Sequence, residues 1–130
     1  MSTHAIIAKV YVETKTVKAI HVSFDGYPEG VGRALLDHYN DPQKVDQLIS
    51  LGAIDFPKEN FEEIERLQSP AVEFDMYDFI DKAESNRLLK FDGLYLYVMG
   101  VTGQWRFSDN TAQDGFKEFD NLKEFLSEEK

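Results

Sequence analysis

Residues 24–32 run Phe24, Asp25, Gly26, Tyr27, Pro28, Glu29, Gly30, Val31, Gly32, so three glycines and a proline sit where a strand pattern stops and a helix pattern begins. A plain connection between a strand and a helix takes about 2–6 residues and at most one unusual backbone angle. Such a concentration of conformational specialists means that the loop has a particular shape to keep. Asp25-Gly26 signals a turn, and Pro28 fixes one φ and gives the bond before it access to the cis form. Gly30 and Gly32 leave little side-chain cover over the first helical turn. Backbone N–H groups exposed there would receive a phosphate or carboxylate, with Arg33 close by. The competing expectation is a shaped turn in which Asp25 accepts from local N–H groups and Tyr27 packs on the core.

The elements on either side follow from periodicity. Ile6, Ala8, Val10 and Val12 alternate with Ile7, Lys9, Tyr11 and Glu13, the period of a strand with one face more buried than the other. A short polar turn and a second β-branched run from Val17 to Phe24 complete an antiparallel hairpin. After the loop, Val31, Ala34, Leu35, His38 and Tyr39 share one face of a helix that ends near Asn40. Asp41 as N-cap and Pro42 in the first helical position start a second helix with Val45, Leu48 and Ile49 buried, and Gly52 stops it. Asn60 and Glu63 have the spacing of a capping box, which predicts a third helix through Phe61, Ile64 and Leu67, ended by Ser69-Pro70. A strand at residues 72–76 and an irregular polar segment at 78–90 come next. Strands at 94–99 and 104–107, joined through Gly100 and Gly103, and a terminal helix marked by Leu122, Phe125 and Leu126 complete the chain. With no repeat or linker, residues 1–130 are expected to form a single α+β domain with a mostly antiparallel sheet.

Composition narrows the function classes. The absence of cysteine excludes disulfides, thiolate zinc sites and cysteine nucleophiles. No basic region followed by an apolar run opens the chain, and no apolar stretch reaches the roughly 18–20 residues of a membrane span, so a cytoplasmic protein without membrane contact is expected. The net charge is −10, and residues 59–84 hold −7 of it, from nine carboxylates against two basic side chains. That balance argues against direct binding to nucleic acid, whose affinity comes from Lys and Arg. It suits either a solvated face or one that engages a basic protein surface, with Glu62, Glu63, Glu65, Glu73, Asp75 and Asp78 as its candidate side chains.

Sharper chemical readings fail on spacing. His21, Ser23 and Asp25 project from one face of a strand, but such neighbours lie about 6.5–7 Å apart, too far for a nucleophile and its base. Asp75, Asp78 and Asp81 match no calcium-binding loop, and His4, His21 and His38 lack zinc-ligand spacing. Neither a metal nor a cofactor is expected, and no catalytic residue is assigned. A hydrolase using Asp25 or Glu29 as general base lacks an identifiable second group. Trp105 and Phe107 share a face best placed in the core; were it open, Trp105 with Tyr95 and Tyr97 would offer aromatic contacts to a partner.

The loop residues 24–32, followed by Leu35-Leu36, His38-Tyr39, Val45, Leu48-Ile49 and Leu51-Gly52, resemble a family of small uncharacterised proteins of bacteriophages and bacteria. The likeness is close over residues 17–54 and looser at Leu94 to Tyr97, Trp105 and Phe116 to Leu126. The family often carries a basic strand where this chain has Glu73, Asp75, Asp78, Asp81 and Glu84, so any site built on those basic residues would be missing. The resemblance implies a phage-like origin and transfers no catalytic residue. The resulting expectation is a non-catalytic protein that engages or inhibits a host or bacterial protein through its acidic face, DNA mimicry being one form of this. The alternative is a binder of a small nucleotide-like ligand at the loop formed by Asp25, Gly26, Tyr27, Pro28, Glu29, Gly30, Gly32 and Arg33.

Overall fold

The computed structural model describes residues 4–67, 69–76, 95–100, 103–109, 120–122 and 126. Its centre is β1 (Ala5–Tyr11), which forms the expected hairpin with β2 (Thr16–Val22), Ala5 facing Val22 and Tyr11 facing Thr16. Lys15, in the turn, takes the left-handed conformation at φ 57°. β3 (Val72–Asp75) adds to β2, and β4 (Tyr95–Met99), β5 (Trp105–Asp109) and β6 (Asp120–Asn121) extend the other side. The resulting order is β3-β2-β1-β4-β5-β6. Four of the five ladders are antiparallel, and β1 and β4 run parallel from Ala5↔Tyr95 to Lys9↔Met99. The fold is α+β with a mostly antiparallel sheet.

Apolar clusters on both faces of the sheet explain why Ala5, Ile6, Ile7 and Ala8 are all buried, although alternation predicts one face more buried than the other. Ala5 and Ile7 join the main core with Ile20, Val22, Tyr97, Met99, Trp105 and Phe107. Ile6 and Ala8 join Val17, Ala19 and Leu96 in a smaller cluster on the opposite face. Two helices, α1 (Arg33–His38) and α2 (Pro42–Ser50), cover the main core with Leu35, Val45, Leu48 and Ile49. The Asp41 carboxylate caps α2 by accepting from Gln43 N–H at 3.0 Å, as its spacing predicts. Midway along α2, Asp46 accepts from Lys9 Nζ and Tyr11 Oη, both at 2.7 Å, and so ties the helix to the central strand.

The third helix is the main departure. Only one turn of 3-10 helix forms at Phe61–Glu63, and the Asn60 side chain does not cap it. Ile64 is already extended, at φ −81° and ψ 128°. The reason is long-range competition for the backbone. Asp55 N–H donates to the Glu65 carbonyl at 3.0 Å and Leu67 N–H to the Ala53 carbonyl at 2.9 Å, so residues 65–67 pair alongside 53–55. The buried Asp55 carboxylate then accepts from Phe56 N–H at 2.6 Å, Glu65 N–H at 3.1 Å and Lys58 Nζ at 2.7 Å. Burial alone would raise the Asp55 pKa, but the Lys58 ammonium and the two N–H donors outweigh it and hold the pKa below the ordinary carboxylate value.

β2 likewise ends at Val22, two residues short of the predicted Phe24, because Ser23 and Phe24 N–H groups bond the Ile54 and Asp55 carbonyls. Leu122 and Leu126 are buried in the main core. The rest of the expected terminal helix, the polar segment 78–90 and Asp78 lie outside the described residues.

Asp55→Ala is expected to cost about 2–3 kcal/mol, since it strands buried donors that now reach a charged acceptor. Because the folded-state pKa is depressed, the advantage of wild type over Asp55→Asn is present above the unfolded value of about 3.9 and shrinks as pH falls below it. Chemical denaturation of both variants between neutral pH and acid checks this.

Candidate functional site

The glycine loop is built inward. Tyr27 is extended, Pro28–Gly32 forms a π turn, and α1 follows without interruption. The bond before Pro28 is trans. Asp25 takes a left-handed φ of 55°, which turns its carbonyl toward the helix start. Val31 N–H donates to that carbonyl and Gly30 N–H to the Tyr27 carbonyl, both at 2.9 Å. Arg33 N–H donates to the carbonyls of Gly30 and Pro28. The Gly30, Val31 and Arg33 amides are therefore engaged inside the loop rather than offered to an anion.

Each glycine answers to a close approach. A Cβ on Gly26 would lie 2.7 Å from the His4 carbonyl carbon and 2.8 Å from Ala5 Cβ. One on Gly30 would lie 2.3 Å from the Asp25 carbonyl oxygen, and one on Gly32 3.1 Å from Leu122 Cδ1. From below, the buried Tyr97 hydroxyl donates to the Gly26 carbonyl at 2.6 Å. Burial raises the Tyr97 pKa, with smaller contributions from Tyr95 and Glu29, so the hydroxyl stays protonated as that bond requires.

Tyr97 thus offers no open aromatic contact, and Trp105 lies in the core, where its face is best placed. Both are buried, and Trp105 Nε1 donates to the Tyr39 carbonyl at 2.8 Å. Tyr95, stacked on Tyr97 with ring centroids 6.4 Å apart, is half-buried. Tyr27 faces outward instead of packing on the core: it is 39% exposed, and beside it Phe24 is 50% exposed. The Tyr27 hydroxyl reaches Asp25 Oδ1 at 3.4 Å, and that carboxylate raises its pKa. Asp25, Glu29 and Arg33 are exposed around them. The outer surface of the loop therefore presents two exposed aromatic side chains, Phe24 and Tyr27, with the charged Asp25, Glu29 and Arg33.

Three of the acidic residues, Glu65, Glu73 and Asp75, lie on backbone beyond β2. Ile54 bridges to Val22 and, on its other side, to Arg66, so residues 53–55 extend the position that β3 holds beside β2, and the strip with Glu65 lies one strand further out. Glu62, Glu63, Glu65, Glu73 and Asp75 are all exposed. Glu73 stands opposite Lys18 in the ladder, which offsets part of its charge. A groove of about 320 Å³ opens at the β3 edge, lined by Ile6, Ala19, Leu67, Pro70 and Val72 among others, and Val72 is 52% exposed.

One pairing has no sequence signal of its own. His4 Nδ1 and His21 Nε2 are 3.0 Å apart, although 17 positions separate them in the chain. The hairpin register, which sets Ile6 against His21, brings His4 within diagonal reach. His38 is elsewhere, 3.9 Å from Glu59. Among the described residues no three His, Asp, Glu or Cys side chains cluster as a metal centre, and no helix is long and apolar enough to cross a membrane.

Gly30→Ala is expected to destabilise the fold by at least about 2 kcal/mol, because its methyl meets backbone that cannot retreat without opening the loop. Gly100→Ala, with nothing within 4 Å of the added carbon, is the control and should be close to neutral. Tyr97→Phe should cost about 1–2 kcal/mol by leaving the Gly26 carbonyl unmet. Thermal and urea unfolding of the three variants decides. In comparisons with family models, with curated proteins and with solved structures, the chain matches none of them.

Proposed function

We propose that this chain is a non-catalytic binding module that engages a basic protein surface through its β3 edge. The observation that supports the reading is the exposure of Glu62, Glu63, Glu65, Glu73 and Asp75, with Glu73 and Asp75 on the edge strand β3. The groove beside exposed Val72 gives that edge an apolar patch to bury, the combination of apolar centre and charged rim that stable interfaces use. Exposed carboxylates steer a Lys- or Arg-rich partner and resist strand-on-strand aggregation at the same time. In a phage setting, as the resemblance implies, the partner is a host protein, and a nucleic-acid-binding surface is the natural target of such a charge pattern.

Immobilised protein is expected to retain such a partner from host extract at about 50 mM salt and release it by about 500 mM, where screening is strong. Replacing Glu62, Glu63, Glu65 and Glu73 together by Gln should abolish retention while leaving thermal stability nearly unchanged. Retention that is insensitive both to salt and to these substitutions would contradict the proposal.

A further inference from the structure

We propose that His4 and His21 form a two-imidazole chelate for a late first-row divalent cation, Cu²⁺ or Ni²⁺. The two ring nitrogens facing each other, His4 Nδ1 and His21 Nε2, are 3.0 Å apart, with ring centroids 5.0 Å apart and planes inclined by 35°. Two imidazole nitrogens bound at about 2.0–2.1 Å in adjacent positions of a square-planar or octahedral shell are about 2.9 Å apart, and in a tetrahedral shell about 3.3 Å. The observed spacing fits the right-angled arrangement, which favours Cu²⁺ and Ni²⁺ over Zn²⁺, and the order of metal affinities for nitrogen sites points the same way.

In the metal-free protein one ring donates an N–H to the lone pair of the other. Binding needs both lone pairs on the cation, so the shared proton moves to the distal nitrogen of its own ring and each imidazole turns to aim its facing nitrogen about 45° away from the N···N line, at the metal. His4 is exposed and His21 half-buried, which gives the rings room to turn and the cation a path. One N–H bond is exchanged for another on the same ring, the His4–His21 hydrogen bond is given up, two metal–nitrogen bonds form, and water completes the shell.

The backbone beneath the pair is fixed. His21 lies in β2, and His4 precedes Ala5, whose strand is hydrogen-bonded on both sides. Gly26 packs against the His4 backbone, so the glycine loop supports the pair from the side. A cation here would link the start of β1 to the end of β2, a geometry present only in the folded chain. Binding should therefore stabilise the native state.

The test is titration of the full chain with CuCl₂ and with NiCl₂, followed by calorimetry and by thermal unfolding, with nitrogen coordination of Cu²⁺ read from its paramagnetic resonance. The expected result is a 1:1 complex with two imidazole donors, a raised Tm, and affinity at least about tenfold weaker in both His4→Gln and His21→Gln, since each leaves a single donor. His38→Gln should bind as wild type does. Unfolding of each variant without metal shows that it is folded before its affinity is compared. No binding by the wild type, or binding that needs His4 yet survives His21→Gln, would overturn the pair.

Discussion

The hydrogen bond from the Tyr97 hydroxyl to the Gly26 carbonyl spans 71 positions of sequence and joins the middle of the sheet to the loop that leaves it. It depends on Gly26 having no side chain, because the start of β1 occupies the space a Cβ would need. With Gly26 held there, Asp25 turns left-handed, its carbonyl meets Val31 N–H, and the chain enters α1 through a π turn. The helical layer over the main core begins from this point. Gly30 and Gly32 serve the same closure, one against Asp25 and the other against Leu122.

This construction separates two properties that the glycine pattern suggests together, a special backbone and an open anion site. The special backbone is present, but it is consumed by packing and by hydrogen bonds within the loop. What the loop shows to solvent is Phe24, Tyr27 and the charged side chains of Asp25, Glu29 and Arg33. Next to the start of the loop, where Phe24 N–H meets the Asp55 carbonyl, Asp55 replaces a helix with an extended strip. By accepting from Glu65 N–H it draws residues 65–67 against residues 53–55, and so places Glu65 one strand outside the position that β3 holds beside β2.

Much of the fold was legible in local patterns. The hairpin, α2 with its Asp41 cap and Pro42 start, the buried face of α1, and the inward Trp105 and Phe107 all follow from spacing and short-range chemistry. The failures share one cause, competition from residues distant in sequence. Asn60 and Glu63 form a sound capping pattern, yet the strip at 53–55 takes the backbone groups a third helix would use. The parallel pairing of β1 with β4 carries no mark except the apolar run Ala5, Ile6, Ile7 and Ala8, whose burial on both faces hints at a central strand. For the sites the division is sharper. The candidate acidic side chains stand out in composition, whereas their exposure, the inward role of the glycines, the burial of Tyr97 and the meeting of His4 with His21 depend on register and packing.

The central claim is that the glycine loop is closed by its own hydrogen bonds and serves as a support rather than an anion cradle. Native-state hydrogen exchange by NMR at Gly30 and Val31 tests it most directly. Protection of both amides comparable to that of α1, unchanged by added inorganic phosphate, is the outcome the account requires. Exchange at the rates of an unfolded peptide, or protection that appears only with phosphate, would show that these N–H groups are open to a ligand and would contradict it.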